Sequence, residues 1–168
     1  MIQTIFEDTG QKVGKHENIR LYCASHGIEI IRIKLKCGDY TLPTDQRVCI
    51  DTKQGCEELY MDLVSDTERF RREYHLAERL GIQLVILIED PFIHNLDEFE
   101  ANWTNPLMKR YERGKISIPP RANTIVRKQI DTISARHGTR FLFCHPAVTG
   151  EVLVELLEKG AEPTRLMS

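Results

Sequence analysis

The sequence has no Cys-x-x-Cys pair, no run of 18 apolar residues and no repeated or low-complexity segment. Its five cysteines, Cys23, Cys37, Cys49, Cys56 and Cys144, are odd in number and unpatterned. That speaks against a disulfide framework or a zinc knuckle and for small buried hydrophobes. Without a long apolar run there is no helical membrane span, so no membrane partner is expected. The opening "MIQTIFEDTG" lacks the basic-then-apolar pattern of a secretory leader, and the expected location is cytoplasmic. Nor is positive charge in excess. The formal net charge is −2, which gives no global sign of a nucleic-acid partner.

What is present fits one globular domain: 168 residues, 41% apolar and 29% charged, enough chain to bury a core. Charge is unevenly placed. Between residues 105 and 140 there are nine Lys or Arg against two acids, Glu112 and Asp131. A local positive face on a near-neutral protein suits a polyanionic partner. A solvated set of helix charges is the alternative.

Hydrophobic periodicity predicts the order β-α-β-β-β-α-α-β, a basic loop region, then α-β-α. "TIFED" reads as a strand ending at Asp8, and "HENIRLYCASHG" as an amphipathic helix stopped by Gly27. "IEIIRIKL" alternates as a strand. "DYTL" and "RVCIDTK", joined by the turn "PTDQ", form a hairpin. "DTERFRREYHLAERLG" reads as a helix ended by Gly81, with Phe70, Tyr74, Ala77 and Leu80 on one stripe. "IQLVILIED" has no polar face and is predicted to be a central strand covered on both sides. The closing helix "TGEVLVELLEKG" is read as capped by Thr149. The expected class is α/β, three-layer, with a mixed sheet.

Chemistry concentrates in "CGDYTLPTDQRVCIDTK", residues 37–53. Strand alternation puts Val48, Ile50 and Thr52 on one face and Cys49, Asp51 and Lys53 on the other. With the apolar face in the core, Asp51 and Lys53 point together at a partly open site, and the hairpin returns Asp39 beside them. Two carboxylates this close repel unless a cation lies between them. Mg²⁺ or Mn²⁺ accepts carboxylate oxygens while keeping waters, so Asp39 and Asp51 suffice as metal ligands. The Lys53 ammonium could orient a water or offset charge on a phosphate. A cross-strand surface ion pair is the plainer reading of the same spacing.

"GDY" followed by "IDTK" resembles the GD…(V/I)ERK signature of the XPF-type nuclease domain, in the PD-(D/E)xK nuclease superfamily. Asp8 in "FEDTGQ" falls at that family's first-strand D-x-R-E, and "TERFRRE" resembles the helix after the catalytic strand. "LVILIED" resembles the next core strand. "NPLMKRY" and "FLFCHP" resemble small stand-alone members carried by bacterial mobile elements. The specific part covers residues 2–90, about half the chain. The pattern departs from the family at Asp51-Thr52, where the family has Glu-Arg, and at Gly10 and Gln11, where it has Arg and Glu. Glu57 falls where the family has a further acid. No tandem helix-hairpin-helix pattern of the kind larger relatives use to grip DNA is read within these 168 residues, and the basic segment after residue 105 is expected to take that role.

The resemblance implies a restriction-endonuclease-like α/β/α fold, with residues 1–90 as nuclease core and 91–168 completing the same domain. It implies a DNA endonuclease dependent on Mg²⁺ or Mn²⁺, acting on branched or flapped DNA. Asp39 and Asp51 hold the metal, Lys53 assists the chemistry and Asp8 supports the site. Lys109, Arg110, Arg127 and Lys128, with Arg69 and Arg72, are the expected DNA contacts. Relatives of this type pair through the nuclease domain, and Leu153, Leu156 and Leu157 stand as candidates for a homodimer contact or for the core. The rival is a catalytically inactive DNA-binding or assembly module of the same fold, which Gln11 favours. Among weaker candidates, Trp103 could stack on a base or pack under the irregular segment. Cys144-His145 suits a nucleophile or ligand pair or simply a strand end, and His75 reads as a surface or boundary histidine.

Overall fold

A strand without a polar face must be covered on both sides, and residues 83–89, apolar except at their ends, are so placed. In the computed structural model, which describes residues 2–160, they form β5 inside a six-stranded sheet of order β2-β1-β3-β4-β5-β6. The elements are β1 (Thr4–Asp8), α1 (Glu17–Ser25), β2 (Glu29–Ile33), β3 (Tyr40–Thr41), β4 (Val48–Lys53), α2 (Cys56–Val64) and α3 (Thr67–Leu80). They continue with β5 (Gln83–Glu89), α4 (Leu96–Asn102), α5 (Pro106–Glu112), α6 (Asn123–His137), β6 (Arg140–Cys144) and α7 (Thr149–Lys159). β4, β5 and β6 run parallel, as do β1 and β2, while β3 is antiparallel to both β1 and β4. The sheet is therefore mixed.

Helices cover both faces. On one, Ile19 and Cys23 of α1 and Leu153, Leu156 and Leu157 of α7 pack on Ile50, Val85 and Leu87. On the other, Leu59 and Leu63 of α2, Phe70 and Ala77 of α3 and Val126 and Ile130 of α6 pack on Cys49, Leu84, Ile86 and Ile88. This is the three-layer α/β/α arrangement expected of a restriction-endonuclease-like fold. Residues after 90 add β6 beside β5 and α7 over the sheet. The outer ends of the two expected halves, Met1 and residues 161–168, lie outside the described residues. No helix among those described is long and apolar enough to cross a membrane.

Three readings change and one open alternative is resolved. β4 is not half-buried: α2 and α3 cover its Asp51 face, so Asp51 and Lys53 are only 5% and 3% exposed. Leu153, Leu156 and Leu157 are buried in the core, which removes them as a dimer contact. Leu80, placed on the buried stripe of α3, lies in its last turn and is exposed. Thr149 does not cap α7 through its side chain; it opens the helix after a 3-10 turn and donates its hydroxyl to the Pro146 carbonyl at 3.3 Å.

Candidate active site

The hairpin register decides what faces what. Tyr40 pairs with Ile50, and the ladder continues past the end of β3: Asp39 N–H donates to the Ile50 carbonyl and Asp8 N–H to the Asp39 carbonyl, both at 2.7 Å. Asp39 therefore stands opposite Asp51. Gly38 makes the entry. Its φ of +68° is strained for any residue with a side chain, and a Cβ there would lie 3.0 Å from Cys49 Cβ and 3.1 Å from the Ile50 carbonyl oxygen. The glycine of the "GD" pair thus lets the chain press against β4 and deliver Asp39 to it.

Asp8, Asp39, Asp51 and Lys53 all line one open cleft of about 790 Å³. The carboxylate cluster is larger than the sequence suggested: Glu73 of α3 joins the cleft lining, and Asp62 of α2 is buried against Lys53. Lys53 Nζ sits between Asp51 Oδ2 at 2.7 Å and Asp62 Oδ2 at 2.5 Å, and 5.9 Å from the centre of the Phe70 ring. Arg69 reaches the other oxygen of Asp62 at 2.5 Å. Glu73, also lining the cleft, accepts the Gly38 N–H at 2.9 Å.

Charge in this cluster is not balanced. Burial pushes the Asp51 carboxyl well above the ordinary range, and Asp39 and Glu73 add to that; Lys53 opposes them without prevailing. Glu73 is raised by burial and by Asp39 against the Gly38 N–H, Lys53 and Arg69. The Lys53 ammonium is held protonated by Asp51 and Asp62 in spite of burial. Although in contact with Lys53, Asp51 Oδ2 receives no well-directed hydrogen bond. Three neighbouring acids, two of them raised by burial and by the acids beside them, offer an all-oxygen donor set that fits a hard divalent cation.

A buried polar chain fixes Asp39 from behind. The Thr52 N–H and hydroxyl both donate to Asp39 Oδ2, at 2.8 and 2.7 Å. With its one proton committed there, Thr52 Oγ1 accepts from Gln11 Nε2 at 3.1 Å and from His16 Nε2 at 3.0 Å. His16 Nδ1 lies 3.0 Å from Glu89 Oε2, and Asn18 Nδ2 donates to Glu89 Oε1 at 2.7 Å. Gln11, at the family's acidic position, therefore holds Thr52 and is not placed as a charged ligand.

Asp8 serves the wall of the cleft. Gly10 N–H and Leu35 N–H each donate to it at 2.8 Å, and Lys34 lies 3.2 Å away. Burial acts to raise its carboxyl, but these donors outweigh it and hold the pKa below the usual value. Glu57, offered as a compensating acid, is exposed and off the cleft; Glu58 lines it instead, paired with Lys15 at 2.6 Å. Cations form the rim: Lys12, Lys34, Lys36 and Arg72 are exposed there, and Arg69 borders the acids. Of the expected DNA contacts, only Arg69 and Arg72 line the cleft. Lys109 and Arg110 are exposed on α5, and Lys128 borders a separate hollow with Arg71 and Arg136. Arg127 is engaged by Asp97 at 2.6 Å, Asp131 at 3.0 Å and Glu100 at 3.8 Å, tying α6 to α4. Trp103 packs on Phe99 and Tyr60, with ring centres 5.2 and 5.7 Å apart. Cys144 is buried beside Thr149, and burial pushes its thiol up to about 11.

Comparison with solved structures matches this architecture. The chain is similar to XPF from Aeropyrum pernix, with a TM-score of 0.61 at 16% identity over 92% of this chain and 63% of that one. It is also similar to XPF from Aeropyrum pernix in complex with DNA, with a TM-score of 0.62 at 18% identity over 99% of this chain and 68% of that one. The chain has the XPF-type nuclease fold. It spans about two thirds of the length of those chains. No protein-family model matches it, and no curated protein does.

Proposed function

We propose that the protein is a divalent-metal-dependent DNA endonuclease that hydrolyses phosphodiester bonds, with branched or flapped DNA as substrate. The observation that carries this reading is the meeting of Asp39, Asp51, Glu73 and Lys53 at the base of a cleft rimmed by Lys and Arg. The XPF-type fold and its DNA-bound example support it by analogy.

Asp39 and Asp51, with Glu73 beside them, would hold Mg²⁺ or Mn²⁺. When bound, the ion supplies Lewis-acid polarisation of a phosphoryl oxygen and a more acidic water. The chain's own contribution is positioning and charge. Thr52 aims Asp39, and Asp62 with Asp51 holds the Lys53 ammonium protonated and facing the cleft. There it can stabilise negative charge developing on a phosphate. The rim cations would fix the strand on either side of the reacting phosphate. Incubation with a panel of labelled duplex, flapped and branched DNAs, with Mg²⁺, Mn²⁺ or EDTA, tests the proposal. Metal-dependent cutting is expected. Salt-sensitive binding without cutting of any structure would give the case to the inactive DNA-binding module, the reading Gln11 favours.

The rim makes a separate prediction. Removing one cation that neutralises a phosphate lowers the dependence of log affinity on log salt by about 0.9 on duplex DNA. Replacing Lys12, Lys36 and Arg72 with alanine should therefore flatten that slope by about 2–3 units, for all sequences alike. The α5/α6 set (Lys109, Arg110, Arg127 and Lys128) should flatten it less, since Arg127 is already bound by three carboxylates. The reverse order, measured by titration at several salt concentrations, would place the DNA on α5 and α6.

A further inference from the structure

On the outer side of α3, away from the acidic cleft, His75 and Glu78 stand one turn apart and meet His137 from the end of α6. One ligand atom from each lies within 4.8 Å of the other two. His137 Nδ1 is 2.8 Å and His75 Nδ1 3.6 Å from the same oxygen, Glu78 Oε2. The two imidazole rings meet edge-on with centres 4.5 Å apart. The Tyr74 ring lies 4.9 Å from one and 4.8 Å from the other, giving both a common wall.

We propose that His75, Glu78 and His137 form a transition-metal site of the zinc class, tying α3 to the C-terminal end of α6. Two ligand atoms about 2.0–2.1 Å from a tetrahedral ion are roughly 3.4 Å apart. The 2.8 and 3.6 Å separations straddle that value, so small side-chain rotations bring the ligands onto an ion. Two imidazoles and one carboxylate select Zn²⁺, Ni²⁺ or Cu²⁺ over Mg²⁺, which prefers oxygen alone. Three protein ligands leave an open position for water. The ion would stiffen α3, the helix that also carries Arg69, Arg72 and Glu73 to the cleft. The site does not depend on the nuclease reading.

The test is metal titration of the full chain, followed by calorimetry and thermal unfolding, with ZnCl₂ as probe. Wild-type protein should bind one Zn²⁺ at this site and gain about 5–10 °C in Tm at 100 times Kd. His75→Ala and His137→Ala should each weaken that binding at least about tenfold. Asp51→Asn, which disables the acidic cleft, should leave it unchanged, so zinc held in the cleft is told apart. Co²⁺ in place of Zn²⁺ should give the visible absorption of a tetrahedral site, abolished in either histidine variant. Zinc binding that survives both histidine substitutions, or no binding by wild type, would overturn the assignment.

Discussion

Asp51→Asn is expected to abolish cleavage and at the same time to raise, or at least preserve, the melting temperature of the metal-free protein. The side chain keeps its shape and loses its charge. A bound metal supplies several kcal/mol of transition-state stabilisation, and each 1.36 kcal/mol is tenfold in rate, so the loss should be roughly 10³-fold or more. DNA affinity should change little, because the rim cations are untouched. The stability effect follows from the sign of the pKa shift. Burial, Asp39 and Glu73 raise the folded-state pKa of Asp51 above its unfolded value. Its favourable contribution is therefore present at low pH and is lost as pH rises through the folded-state pKa. Above that point the ionised carboxylate opposes folding, and asparagine removes the opposition. The difference in Tm between variant and wild type should shrink as pH is lowered. Mg²⁺ or Mn²⁺ should raise the Tm of wild type and not of Asp51→Asn. A metal-free variant clearly less stable than wild type would mean that the Asp51–Lys53 pair outweighs the repulsion, against the imbalance inferred for the cluster.

The parts of this site legible in the sequence are those governed by strand geometry. Alternation along "VCIDTK" and the length of the hairpin turn suffice to put Asp39, Asp51 and Lys53 on one cleft. Asp62 and Glu73 escape such a reading because a helix contributes to a site through its packing angle, which local periodicity does not encode. A signal exists nonetheless. Asp62 falls between Leu59 and Leu63 on the buried stripe of α2, and Glu73 between Phe70 and Ala77 on that of α3. An acid on an apolar stripe at helical spacing marks a buried charge, and such a charge needs a partner. The burial of both faces of β4 is hidden for a related reason. Asp51 and Lys53 read as a polar, open face, whereas they pair by charge with each other and with Asp62 beneath α2 and α3. The positions of Lys109, Arg110, Arg127 and Lys128 show the reverse limit. A dense run of positive charge in the sequence says nothing about which side of the fold it occupies, and three acids claim Arg127. The chain from Asp39 through Thr52 and His16 to Glu89 joins residues up to 73 positions apart, beyond any local pattern.

Lys53→Met should lose activity and stability together, and a second substitution should separate the two. Lys53 is nearly fully buried between Asp51 and Asp62, at 2.7 and 2.5 Å. Methionine fills similar space without charge and leaves two buried carboxylates without their common partner. Breaking a buried ion pair by removing one member costs about 3–5 kcal/mol, which at this chain length is a fall in Tm of roughly 6–20 °C. Cleavage should drop by about 10²-fold or more, the scale of losing a positioned electrostatic or acid–base group. If the destabilisation comes from orphaned charge, Lys53→Met combined with Asp51→Asn should be more stable than Lys53→Met alone, a coupling that a double-mutant cycle measures directly. Asp62 would still be held by Arg69 in that double variant. Activity should not return with stability, because both the metal ligand and the ammonium are then gone. A double variant no more stable than Lys53→Met would show that Lys53 supports the fold through packing on Phe70 and not through its charge. A Lys53→Met protein that cuts DNA at the wild-type rate would remove lysine from the chemistry altogether.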